Sequence, residues 1–68
     1  MSTLSPFFPG LRVRARRALE DGTGRWVAVG TPGVMRGLDR ASRPQIEFDG
    51  HTGRIIACEE RDLEPIRL

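Results

Sequence analysis

The chain has 68 residues and a formal net charge of +2, with eleven arginines, no lysine and nine acids. A domain of this length buries only about 60% of the surface its unfolded chain exposes, which argues against a deep pocket; added stability from self-association is reasonable, so monomer and homodimer both stay open. The lone Cys58 excludes an internal disulfide and a cysteine-based zinc site, and it fits a reducing, cytoplasmic compartment.

Residues 1–9 hold Ser, Thr, Pro and two Phe and read as a flexible lead-in, without the basic start and apolar run of a signal peptide. Phe7 and Phe8 are placed there to cover one end of the core, and a single domain is expected over 10–68. Residues 11–16 alternate with period two, so Leu11, Val13 and Ala15 share one face and Arg12, Arg14 and Arg16 the other, as in a half-buried strand. Residues 20–24, with Asp-Gly and a second Gly, are turn chemistry, and 26–29 resume an extended apolar segment.

Gly30-Thr31-Pro32-Gly33 reads as a type II turn with Pro second and Gly third. A strand over 34–38 follows, then a polar loop over 39–43. Pro44 suits only a strand start or an edge, and 45–48 alternate again. Residues 49–53 carry two glycines and form a hairpin loop whose return strand is 54–58. Residues 59–63 are charged and lack alternation, which suits one 3₁₀ turn before a last strand over 64–67.

About five short strands at close turn spacing predict an all-β domain, a five-stranded SH3-like small barrel with a short 3₁₀ turn before the last strand. Its expected core is Val13, Trp26, Val34, Ile46, Phe48, Ile56, Leu63 and Ile66, with Ile55, Ala57 and Met35 undecided as to face. No stretch approaches the length of a membrane span, so no membrane partner is expected.

Chemistry-bearing residues are thin. His51, the single histidine, sits in a glycine-flanked loop where a solvated turn residue is the default, although Asp49 could hydrogen-bond to it. Cys58 precedes Glu59 and Glu60, whose charge would raise a thiol pKa; it reads as a small buried hydrophobe, with a reactive thiol at a working surface as the alternative. Glu59, Glu60, Asp62 and Glu64 form a solvated acidic turn paired with arginines rather than a cation site. No catalytic set, metal or cofactor is expected.

The arginine face is the strongest surface signal. Residues 1–54 carry nine arginines against five acids, and residues 55–68 two against four. The expected partner-binding residues are Arg12, Arg14, Arg16, Arg36, Arg40 and Trp26, with Arg17 and Arg43 nearby and Trp26 a stacking platform if exposed. A sum of +2 falls short of the dense basic stripe of a dedicated nucleic-acid binder, and an acidic protein surface is the expected partner.

Three segments carry a family resemblance: Gly10-Leu-Arg-Val-Arg-Ala-Arg16, Glu20-Asp-Gly-Thr23, and Gly53-Arg-Ile-Ile-Ala-Cys-Glu-Glu-Arg-Asp-Leu63. In order and character they resemble the NifZ family of nitrogenase-maturation accessory proteins, and Thr31-Pro-Gly-Val34 is similar to that family's glycine turn entering a strand. The resemblance implies a non-catalytic factor that assists maturation of an iron–sulfur metalloprotein through protein contacts, with Cys58 as the one thiol worth testing. KOW and Tudor modules are also similar, and they imply nucleic-acid binding in a transcription or translation factor. Plasmid-type dihydrofolate reductase has a comparable last hairpin, but Ile56, Ala57 and Cys58 would stand where it needs polar pore residues.

Overall fold

A computed structural model describes residues 7–66, and the chain is mainly β. The strands are β1 (Arg12–Ala15), β2 (Leu19–Glu20), β3 (Trp26–Val27), β4 (Pro32–Leu38), β5 (Pro44–Phe48), β6 (Ile56–Ala57) and β7 (Leu63–Pro65). One 3₁₀ turn, Glu60–Asp62, leads into β7. Five strands make one antiparallel sheet in the order β6-β5-β4-β1-β7, while β2 and β3 pair only with each other. No ladder among the described residues joins β6 to β7, so the sheet is not closed.

The period-two patterns translate directly into faces. In β1, Val13 and Ala15 are buried while Arg12 and Arg14 point out, and in β5 Ile46 and Phe48 are buried with Pro44 opening the strand. β4 pairs with β1 through its first half and with β5 along its length; between Met35 and Gly37 the register shifts, which leaves Arg36 as an extra residue.

The core comprises Val13, Ala15, Val27, Met35, Ile46, Phe48, Cys58 and Leu63, with Phe7, Leu11, Leu19 and Ile56 packed against it. Trp26 does not belong to it: β3 alternates with Val27 inward, so the indole faces out at 65% exposure. Val34 and Ile66 are half-buried, and Ile55 and Ala57 are exposed. Phe8 is exposed, and of the 1–9 lead-in, residues 1–6 lie outside the described residues.

Two turn assignments shift. The bend before β4 is Ala28-Val29-Gly30-Thr31, closed by the Thr31 N–H donating to the Ala28 carbonyl at 3.1 Å with Gly30 at φ 87°. Gly33 instead lies inside β4, where a Cβ would stand 2.9 Å from the Glu47 carbonyl oxygen and 2.9 Å from Phe48 Cδ1. Its glycine answers close packing, not turn geometry. The last strand begins at Leu63 and is described to Pro65; Arg67, expected at its end, lies outside the described residues. The return strand expected over 54–58 narrows to Ile56–Ala57, because two consecutive turns take up residues 48–54.

Candidate functional site

The outer face of the main sheet gathers Arg12, Arg14 and Arg36, but it matches them with acids. The Arg12 guanidinium lies 3.9 Å from Asp49, and Arg36 makes a close pair with Glu47, Nη2 to Oε1 at 2.7 Å and Nε at 2.9 Å. Arg14 stands directly across the β1–β7 ladder from Glu64. Glu47 also accepts the Gly53 N–H at 2.9 Å. That backbone donor first, and Arg36 second, hold its carboxyl below the usual carboxylate range.

Arg16 is exposed just beyond β1, its N–H donating to the Asp62 carbonyl at 2.8 Å. Arg40 does not join the face. It sits in the loop after β4, at the end of that strand remote from β1. The same loop is organised by Asp39, whose Oδ1 accepts the N–H groups of Ala41 (2.9 Å) and Arg43 (2.8 Å) and whose Oδ2 takes Arg43 Nε at 3.0 Å. The Arg43 N–H is the chief reason the Asp39 pKa is lowered. The sheet face is therefore a charge-balanced surface, and the expected uninterrupted arginine stripe is broken by carboxylates at Asp49, Glu47 and Glu64.

Trp26 stands on the separate β2–β3 ribbon, opposite Glu20 in the ladder and beside exposed Arg25. Val29, at the next bend, is 63% exposed. Arg14, Arg16, Arg25 and Arg40 make no ion pair among the described residues. Of these, Arg25 adjoins the exposed indole in sequence.

Cys58 is buried, with Sγ 3.5 Å from the Ile56 carbonyl oxygen. Burial, reinforced by the charge of Asp62, pushes its thiol up to about 12, so the nucleophilic thiolate is scarce near neutrality. The acidic turn is solvated at Glu59, Glu60 and Glu64 as expected, but Asp62 is buried. Asp62 pairs with Arg17 at 3.3 Å and accepts the Glu59 N–H at 3.2 Å. No group of three His, Cys, Asp or Glu among the described residues converges as a metal site requires.

His51 is the main departure from expectation. The imidazole is not solvated but 9% exposed, and its partner is Asp21 rather than Asp49, with Nδ1 3.0 Å from Oδ2. Asp21, with a side chain 1% exposed, also accepts the backbone N–H of Thr23 at 2.9 Å and the Thr23 hydroxyl. The Thr23 hydroxyl, then the Thr23 N–H, then His51, hold the Asp21 carboxyl well below its ordinary value. Asp-Gly-Thr had the signature of a side-chain-closed turn, in which Asp accepts from the N–H two residues on. That signal locates the Asp21 turn; nothing in local sequence pairs it with a histidine thirty residues away.

The chain matches no protein-family model, no curated protein and no solved structure. Among the described residues, no helix is long and apolar enough to cross a membrane.

Proposed function

We propose that this chain is a non-catalytic, cytoplasmic protein-binding module built as an SH3-like small barrel, with the Trp26 ribbon as its contact surface. Support for the barrel is the strand order: the first strand lies between the last strand and β4, consecutive hairpins follow, and a 3₁₀ turn precedes the last strand. The observation that carries the binding reading is the 65% exposure of the single tryptophan, on a strand whose other residue is fully buried. Holding an indole in water on an ordered strand forgoes the burial that Trp normally supplies, and a partner surface restores it.

The unpaired Arg16 and Arg25, which no carboxylate of the sheet face balances, favour an acidic partner. The likeness of residues 10–16, 20–23 and 53–63 to the NifZ family supports a maturing iron–sulfur metalloprotein as that partner. A nucleic acid of the KOW or Tudor kind is favoured by one observation, the adjacency of Arg25 to the exposed indole, and disfavoured by the carboxylates that balance the arginines of the sheet face.

The test is a titration of the full chain with an acidic iron–sulfur metalloprotein, beside Trp26→Ala and Arg25→Glu variants. Loss of an interface anchor of this type costs about 2 kcal/mol or more, so Trp26→Ala should weaken binding roughly 30-fold or more. Its melting temperature should stay close to the parent's, because the side chain is mostly in water. Unchanged affinity removes the reading, and salt-steep binding of an RNA or DNA oligomer through the same residues transfers it to nucleic acid.

A further inference from the structure

The β2–β3 ribbon is attached to the rest of the molecule in an unusual way. Among the described residues, every backbone hydrogen bond made between residues 17 and 27 stays inside the ribbon: the β2–β3 ladder and the Asp21 N–H to the Arg25 carbonyl at 2.9 Å. Its two ends are anchored. The Arg16 N–H donates to the Asp62 carbonyl at 2.8 Å, and the Gly30 N–H to the Ala15 carbonyl at 2.7 Å.

Between those ends only side chains fasten it. Leu19 and Val27 lie on the core, Arg17 reaches Asp62 at 3.3 Å, and Asp21 meets His51 at 3.0 Å. Arg17 is 63% exposed against a buried Asp62, so water screens this pair from one side. His51 and Asp21, by contrast, are both withdrawn from water. Their contact joins the ribbon tip to the 49–53 hairpin loop, which is held on its other side by the Gly53 N–H to Glu47 bond.

We propose that the β2–β3 ribbon is a hinged arm that opens as a unit about residues 16–18 and 28–30, and that the buried His51–Asp21 contact is its latch. Opening uncovers the apolar underside at Leu19 and Val27 without breaking any ladder of the five-stranded sheet. Closing fixes the orientation of Trp26, which rides on the arm. This last consequence rests on the binding surface proposed above; the hinge itself does not.

Native-state hydrogen exchange of the full chain, read by NMR, tests the hinge without any partner. His51→Ala leaves a buried carboxylate oxygen without its donor, and a two-stranded ribbon lifted off the core is too small to keep its own hydrogen bonds in water, so exchange at the Asp21 and Thr23 amides should speed roughly 5- to 150-fold. The Met35 and Cys58 amides, bonded to the carbonyls of Leu11 and Pro44, should be unchanged. His51→Asn, whose side-chain amide can donate from near the Nδ1 position, should restore most of the protection.

In the unmutated chain, exchange at Asp21 and Thr23 should respond less steeply to added urea than at Met35 and Cys58, because arm opening exposes less surface than global unfolding. That comparison stands even where His51→Ala does not fold. Equal urea dependence at all four amides, or a uniform rise in exchange across the chain of His51→Ala, overturns the hinge. Either result leaves the role of Trp26 untouched, whereas unchanged partner affinity in Trp26→Ala would leave the hinge standing.

Discussion

Two glycines four residues apart on β4 should respond in opposite ways to the same substitution. A methyl group on Gly33 would stand 2.9 Å from the Glu47 carbonyl oxygen, 2.9 Å from Phe48 Cδ1 and 3.0 Å from Ile46 Cγ2. Carbon contacts settle near 3.5 to 4.0 Å, so a gap of about half an ångström must be found. The carbonyl belongs to the adjacent strand and the two side chains are buried in the core, so none of the three yields cheaply. Overpacking of this kind costs about 1–3 kcal/mol. With each kcal/mol worth roughly 4–8 °C in a domain of this size, Gly33→Ala should lower the melting temperature by roughly 4–24 °C. Gly37 has only Gln45 Oε1 nearby, at 4.0 Å, and its φ lies outside the left-handed region. Gly37→Ala should therefore gain about 0.4–1 kcal/mol by restricting the unfolded chain, a rise of roughly 2–8 °C. Thermal unfolding followed by far-ultraviolet circular dichroism reads both. A Gly33→Ala melt within about 2 °C of the parent, or equal losses in both variants, would refute the packing of β4 on β5 argued above.

Acid should destabilise the fold in a defined window. Asp21, Asp39 and Glu47 all have folded pKa values below their ordinary 3.8, 3.8 and 4.5, so the unfolded chain binds more protons as pH falls. Their contribution is complete above the ordinary values and lost below them; a melting temperature that stays flat from pH 6 down to about 2.5 would contradict the carboxylate networks. Alkali should act through Cys58, whose folded value of about 12 exceeds the ordinary 9.0. Its contribution is complete below pH 9 and lost as pH rises toward 12, and Ellman's reagent at pH 8 should label the thiol only after unfolding. Rapid labelling of the folded chain would place Cys58 at the surface.

Legibility in the sequence followed the length of the alternating run. The pattern at Leu11 to Arg16 and at Gln45 to Phe48 placed β1, β5 and their inward residues, because four or more alternating positions define a face. In the two-residue β3, alternation cannot be phased from sequence, and size alone sent Trp26 inward when the strand buries Val27. The turn at Gly30 was misplaced because Pro32-Gly33 has turn composition, while the constraint on Gly33 comes from a strand that sequence does not place beside it. His51 failed for the same reason: glycine neighbours describe its loop, and its burial comes from a carboxylate on another element.

The arginine face shows how far composition can mislead about electrostatics. Counting along the chain separates a basic front from an acidic rear, yet antiparallel pairing interleaves them. β7 brings Glu64 of the rear opposite Arg14, and within the front itself β5 brings Glu47 to Arg36. Of the excess of four charges in the first 54 residues, one is paired across to the rear, Arg17 with Asp62, and the unpaired guanidinium groups of Arg16 and Arg25 lie before the β2–β3 ribbon and between its strands, with the exposed indole on it. Recognition argued from the whole arginine count would select a polyanion. Recognition argued from the charges left after pairing and the exposed indole favours, as proposed above, a partner surface with an apolar centre and a few acidic groups around it.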